Sequence, residues 1–275
     1  METVPPTVAT PPPTTVPPTT VPPTTVPPTT VPETTVPPTT TLPAPPTTTL
    51  PVNIVAVAPV VEPIIAVGTS DGPETARAQW RLLELGFWIQ EANGDYGLTT
   101  RQAVMAFQKY YGLSADGVLG QETADAMGAV VERSHGRADA GTLVEIDKNK
   151  QLLFFVNEGV TTWILNVSTG SEIAYDEPDV NTPGERQIGD SVTRVGLFDV
   201  YRERPEGWWE GDLGEIYRPK YFSGGIAVHG SNNIPNYPAS HGCVRVSVPA
   251  MDWIWAVNAM PMDIPVWVHG NIPGK

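Results

Sequence analysis

Cysteine is all but missing from this sequence: there is one, Cys243. That excludes an intrachain disulfide framework. A single cysteine, read without its neighbours, fits a small buried hydrophobe better than a nucleophile. Basic residues are also scarce, with 16 Lys and Arg against 30 Asp and Glu and a formal net charge of -14. Such a surface repels phosphate backbones, and no run of Lys or Arg offsets it, which argues against a nucleic-acid partner. A long apolar run is missing too. The most apolar early stretch, residues 52–67, is interrupted by Asn53, Pro59, Glu62 and Pro63 and is too short to span a bilayer. Met1 is followed by Glu2 and then prolines, without the basic n-region and apolar core of a signal peptide.

The first 70 residues hold Thr, Pro and Val in place of charged and aromatic residues. Residues 16–40 are five consecutive pentapeptides, four VPPTT and one VPETT. Proline fixes φ and removes donors, and the tract has too little apolar mass to bury. The sequence therefore predicts a disordered Pro/Thr-rich stalk over residues 1–70, extended and polyproline-like, that contributes to no core. An inert tail fits the same composition.

Composition changes near Ser70. Residues 71–86 read as a helix, with a capping-box spacing of Asp71 and Glu74, Pro73 in the first turn and Gly86 as the stop. Residues 99–111 read as a second helix. Thr99 and Gln102 repeat the capping spacing, Ala103, Val104, Phe107, Tyr110 and Tyr111 form one stripe, and Gly112 ends it. Residues 121–127 make a short third helix. These elements define a three-helix unit over residues 71–130, followed by a linker at 131–141. From residue 142 to 270 the apolar period changes from 3.6 to 2. Strands are expected at 143–146, 152–156, 160–168 and 192–200, with the first two forming a hairpin around 147–150. Ser247 caps an expected helix over 249–258, and 264–268 is a last strand. The fold class is α+β: a small three-helix domain, then a mainly β domain.

The chemistry concentrates in residues 226–246, IAVHGSNNIPNYPASHGCVRV. A free thiol with a pKa of about 8.5 is only a few per cent thiolate at neutral pH. A neighbouring histidine can hold its proton and return it to a leaving amine. Two of the four histidines, His229 and His241, lie within 14 residues of Cys243. Gly230 and Gly242 permit sharp turns, and backbone N–H groups at Gly242 and Cys243 would suit an oxyanion hole. This company favours a nucleophile. The residue types also allow zinc ligation by His229, His241 and Cys243, with His135, His269 or a carboxylate as a fourth ligand, although no CxxC or HxxxH spacing supports it.

The segment resembles the signature of the L,D-transpeptidases, the YkuD-like catalytic domain: a histidine-glycine pair on a strand, a loop, then SHGC, a small apolar residue and Asn or Arg. The matching residues are His229, Gly230, Ser240, His241, Gly242, Cys243 and Arg245. Trp208, Leu213, Gly214 and the YFSGG run at 221–225 also fit. The resemblance implies that Cys243 is the nucleophile and His229 the base, with His241 shaping the loop. The residues leave open which histidine is the base. Ser240 and Gly230 would present carbonyls that orient a histidine, and Tyr221 and Gly230 would meet substrate. Arg245 would bind a substrate carboxylate or anchor a loop. The loop between His229 and Ser240 is shorter than in well-known members. An upstream TPxG segment stands here as Thr182, Pro183 and Gly184, one residue short, which bears on contacts to the donor peptide.

Residues 71–130 are similar to the three-helix peptidoglycan-binding domain, at Leu85, Gly86, Asp95, Gly97, Phe107, Gln108, Gly112, Asp116 and Gly117 among others. A spacer without a ligand fits these core and turn residues as well. Tyr96 or Trp88 would be the aromatic to stack on sugar. Together the two resemblances imply an extracytoplasmic, wall-associated acyltransferase that is monomeric, with a membrane tether upstream of this chain. Its partners would be peptidoglycan stem peptides and glycan strands. No metal or cofactor is implied. Hydrolysis by an L,D-carboxypeptidase, and an inactive wall-binding scaffold, are the alternatives.

Overall fold

The computed structural model describes residues 53–275, so the pentapeptide repeats and most of the stalk expectation lie outside the described residues. Three helices come first: α1 (Pro73–Glu84), α2 (Leu98–Tyr111) and α3 (Gln121–Ala129). Their apolar stripes meet as expected, burying Leu82, Ala103, Val104, Phe107, Ala124 and Met127. Phe87 packs edge-on against Phe107, with ring centroids 5.5 Å apart. Gly112 ends α2 in the left-handed conformation, φ 71°, the usual way to satisfy its last carbonyls.

Both expected capping boxes are absent. Gly72 and Gly97 occupy the N-cap positions of α1 and α2, with no side-chain cap. The Asp71 carboxylate instead accepts from the backbone N–H of Tyr96 at 2.6 Å. Glu74 pairs with Arg77, and Gln102 accepts from Asn166 Nδ2 at 2.7 Å. Tertiary partners outcompete the local pairing because they also join the helices to the rest of the chain.

The β region forms two main sheets. One contains β1 (Leu143–Asp147), β2 (Leu152–Asn157), β3 (Val160–Asn166), β6 (Gly196–Asp199) and β12 (Pro265–His269), in the order β3-β2-β1-β12-β6. The β1–β2 hairpin pairs Asp147 with Leu152, as expected. The other contains β7 (Arg202–Glu203), β9 (Gly214–Ser223), β10 (Ile226–Ser231) and β11 (Val244–Ser247), with β8 (Trp208–Gly211) paired to β9. A separate hairpin joins β4 (Tyr175–Pro178) to β5 (Arg186–Gly189). Helix α4 (Val248–Ala256) is capped by the Ser247 hydroxyl, which accepts from Ala250 N–H at 3.3 Å.

Strand β2 shows why the helical and β regions cohere. Its side chains alternate across the sheet, as period 2 requires. Leu153 and Phe155 enter one core with β10, β11 and α4, whereas Leu152, Phe154 and Val156 enter the core of the helices. Ile164 of β3 joins the helical side and Leu165 the other. The two regions therefore share a sheet.

Two sequence expectations need correction here. Residues 53–70 are not inert: Ile64 is buried in the helical core, with Val57, Val60, Ala66 and Val67 packed against it. The linker at 131–141 is anchored along its length. The buried Glu145 carboxylate accepts from the backbone of Arg137 and Ala138, both at 2.9 Å, and bonds His269 at 2.8 Å. Burial pushes the Glu145 carboxyl up, but those hydrogen bonds outweigh it and hold its pKa below the ordinary value. Finally, the strand expected at 192–200 survives only at Gly196–Asp199. The Thr193 hydroxyl is used elsewhere, accepting from Gly170 N–H and donating to Gly242 O.

Candidate active site

The site is built on two parallel strands. His229 sits on β10 in register with Arg245 on β11. Residues 232–243 connect the two strands and end in the SHGC turn. The pleat sends Val228, Val244 and Val246 into the core, while His229 and Arg245 line a cleft of about 580 Å³ with Ser240, His241, Cys243 and Tyr221.

The turn before Cys243 is fixed from several sides. Gly242 has φ +128°, and a Cβ there would lie 2.6 Å from Ile226 Cδ1 and 3.1 Å from Val192 O. A side chain at this position is therefore strained and crowded. Ser240 Oγ accepts from Gly242 N–H at 3.1 Å and donates to Cys243 O at 2.5 Å. Two expectations change as a result. The Gly242 N–H is committed to Ser240, so it is not a free oxyanion donor in this arrangement. The Ser240 carbonyl accepts from Ser171 N–H at 3.0 Å, so it braces the loop rather than orienting a histidine.

The Gly230 carbonyl does orient a histidine. His229 Nδ1 lies 2.8 Å from Gly230 O. A carbonyl can only accept, so Nδ1 carries the proton and Nε2 keeps its lone pair. His229 is buried, and that burial lowers its pKa from 6.5 to about 4, with Arg245 acting in the same direction and the Gly230 bond against it. The imidazole is neutral at pH 7. A Cβ on Gly230 would come 2.9 Å from Tyr217 Cδ1 and 3.2 Å from Met251 Cβ, so glycine here lets β10 lie close to β9 and α4.

The Cys243 sulfur rests against the β9–β10 turn. It accepts from Ala227 N–H at 3.4 Å and donates to Gly225 O at 3.8 Å. Desolvation raises the thiol pKa, while the Ala227 hydrogen bond and Arg245 lower it. Burial wins, so the resting group is a thiol. Among the described residues neither histidine bonds it. His241 points elsewhere: its Nε2 is 3.0 Å from Glu177 Oε1 on β4, and its ring packs edge-on to Tyr175 at 4.8 Å.

Arg245 lines the cleft with no salt bridge among the described residues, and burial lowers its pKa. Tyr221 is buried beneath Arg202, whose guanidinium lies 3.8 Å from the ring centroid. Sequence reasoning missed Arg202, Arg204 and Trp209, which also line the cleft. Arg202 and Trp209 sit on strands of two and four residues, and Arg204 follows the first; such segments are too short to carry a period to read. No group of three or more His, Cys, Asp or Glu is placed to hold a metal ion among the described residues. His135 is bonded to Gly136 O, and His269 to Glu145. Of the expected sugar-stacking aromatics, Trp88 is buried in the β core and the Tyr96 hydroxyl donates to Gly117 O.

A β-sandwich with a thiol–imidazole cleft, packed on a three-helix module, defines a class, and comparison with known proteins gives the family. The L,D-transpeptidase catalytic domain of the YkuD family matches residues 141–268, and a family named for peptidoglycan binding matches residues 71–127. A solved L,D-transpeptidase from Xylanimonas cellulosilytica is 42% identical, with a TM-score of 0.67; the match covers 77% of this chain and 100% of that one. The chain belongs to the L,D-transpeptidase family. Two curated relatives share shorter segments. The N-acetylmuramoyl-L-alanine amidase CwlM of Mycobacterium tuberculosis is 46% identical over 52 residues, 19% of this chain and 13% of that protein. A probable N-acetylmuramoyl-L-alanine amidase of Bacillus licheniformis is 35% identical over 74 residues, 26% of this chain and 21% of that protein. This chain thus spans about a fifth or less of either curated relative.

Proposed function

We propose that this protein is a cysteine-dependent L,D-transpeptidase acting on peptidoglycan stem peptides through a thioester at Cys243. The observation that carries the reading is the meeting of the sole thiol, a neutral imidazole with a free Nε2 lone pair, and an unpaired guanidinium in one cleft. In the reaction the thiol proton passes to His229 Nε2 as sulfur attacks the carbonyl between the third and fourth stem residues. The S–C bond forms and the C–N bond breaks. The imidazolium returns its proton to the departing amine of D-alanine. An acceptor amine then attacks the thioester and restores the thiol. One amide replaces another, so the exchange needs no external energy source.

The resting Cys243 bonds to the β9–β10 turn must give way to a His229 contact, as catalytic hydrogen bonds often tighten only with substrate bound. His241 is a positioning residue that ties the β4–β5 hairpin to the SHGC turn. Cys243 N–H is the oxyanion donor left once Gly242 N–H is committed to Ser240. The helical module is assigned the role of holding wall polymer near the cleft, which raises local substrate concentration. The matched families suit a site of action outside the cytoplasm. No helix among the described residues is long and apolar enough to cross a membrane.

Intact-mass analysis with a purified tetrapeptide donor tests the reaction. The wild type should gain an acyl mass with loss of D-alanine, and an acceptor amine should discharge it into a new amide. Cys243→Ala should show no adduct. An adduct of the same mass on Cys243→Ala would overturn the assignment, and release only to water in the presence of acceptor would favour the carboxypeptidase reading.

A further inference from the structure

Arginine is scarce in this acidic chain, yet three of them converge on the one cleft that holds the thiol: Arg202, Arg204 and Arg245. None makes a salt bridge among the described residues. The local carboxylate that should neutralise the first two does not. Glu203 lies between them in sequence, but strand alternation sends it away, and it pairs with the buried Lys220 at 2.6 Å. Arg202 and Arg204 are left facing the cleft without a counter-ion. The cleft's acids do not compensate. Of the acids that line it, Asp212 accepts from Asn181 Nδ2 at 2.9 Å at the β8–β9 tip, and Glu215 makes no salt bridge among the described residues; Glu177, on the neighbouring hairpin, holds His241.

Both guanidiniums are held flat. Arg202 stacks on Tyr221 at 3.8 Å and Arg204 on Trp209 at 3.6 Å. Stacking fixes the plane of the fork and leaves its edge N–H groups to project, the arrangement that suits bidentate carboxylate binding. The Arg204 Nε is buried with no hydrogen-bond partner among the described residues, and a buried donor left unsatisfied costs free energy that an incoming acceptor recovers. The stacked pair is also close to the chemistry. Tyr221, beneath Arg202, lines the same cleft as Cys243 and His229.

We infer that Arg202 on β7 and Arg204 just after it form a second carboxylate subsite, separate from Arg245, so that the cleft selects donor peptides bearing two free carboxylates near the scissile carbonyl. One is the C-terminal carboxylate of the leaving residue, and the other is on a neighbouring side chain. This rests on the transpeptidase reading above for the identity of the donor. The two guanidiniums contribute unequally. Arg204, half-buried with an unpaired Nε, is the stronger contact, and Arg202, more exposed, is the weaker and the more sensitive to salt.

Two probes and two readouts test it on the full chain: a tetrapeptide with free C-terminal and side-chain carboxylates, and the same peptide with the side-chain carboxylate as primary amide. Calorimetric titration measures binding whether or not turnover occurs, and intact mass measures acylation. The wild type should bind the free acid ~10-fold or more tightly than the amide. Arg204→Gln should erase most of that ratio, Arg202→Gln should reduce it about threefold, and Arg204→Lys should fall between. Raising salt from 0.05 to 0.5 M, both round figures about a Debye length of ~10 Å at 0.1 M, should shrink the ratio. Equal affinity of the wild type for the two peptides, or a ratio unchanged in Arg204→Gln, overturns the subsite. Absence of any acyl adduct with intact, ratio-selective binding would instead overturn the transpeptidase reading and leave the subsite standing.

Discussion

At the residue scale, His229 has two consequences that a single titration separates. Its folded pKa is lowered to about 4 from 6.5, so between these values the unfolded chain binds a proton that the folded protein does not. Stability must then fall as pH drops through that window, by up to about 3 kcal/mol. His229→Gln should flatten the decline, seen as a smaller loss of thermal midpoint between pH 7 and pH 4. In the same window the neutral base remains available, so the acid limb of the wild-type acylation rate should lie near pH 4 rather than 6.5. His229→Gln should also slow acylation by ~10²–10⁴-fold. An inactive His241→Gln beside a near-normal His229→Gln would reverse the two roles. These residues were legible in the sequence because a sole cysteine beside two histidine-glycine pairs is an unusual pattern. The direction in which His241 points was not. Its partner Glu177 is 64 residues away, and spacing carries nothing about a contact that distant.

At the element scale, the site depends on α4 pressing β10 and β11 into place. Met251 and Ile254 are fully buried in the β core, and Met251 meets the backbone at Gly230. Ser247 caps this helix through Ala250 N–H. Ser247→Ala should cost about 1 kcal/mol, read as a lower urea midpoint at constant slope, with a modest fall in acylation. A full loss of activity at unchanged stability would show that Ser247 acts on the chemistry directly. The elements that could be read were those with strong periods or punctuation: the three helices, the β1–β2 hairpin, α4 and β12. Strand β9 was not expected either, because charged and polar residues interrupt its apolar pattern, and neither were β4, β5, β7 and β8. The last four are two to four residues long, largely exposed, and held by pairing with partners rather than by an apolar pattern of their own. The capping-box spacings at Asp71 and Thr99 failed for a related reason. A glycine took each cap position, and the acceptors found more distant donors.

At the scale of the whole molecule, the helical module is part of the catalytic domain's foundation. Leu152, Phe154, Val156 and Ile164 are covered by the helices, and burial of each is worth about 1.5–3 kcal/mol. Polar ties cross the same boundary. Lys109 Nζ donates to Val167 O at 3.2 Å, and Asn236 Nδ2 to Ala115 O at 2.7 Å. Burial lowers the Lys109 amine to about 7. Removing residues 53–129 should therefore leave an apolar sheet face bare. The truncated chain should bind a hydrophobic dye, unfold at a much lower temperature and lose turnover even on a small soluble peptide. A truncation that keeps its thermal midpoint and its small-peptide activity would show that the two regions fold independently. The sequence by itself determined the family signature, the α-then-β order and the SHGC turn, because glycine requirements are local and periodicity is short-range. Only the tertiary structure decided that residues 53–70 and 131–141 are packed, that Ser240 consumes the Gly242 N–H, and that Arg202 and Arg204 line the cleft that holds the thiol. Each of those depends on which distant backbone donor, acceptor or aromatic ring the fold brings within a few ångströms, and no linear pattern encodes that distance.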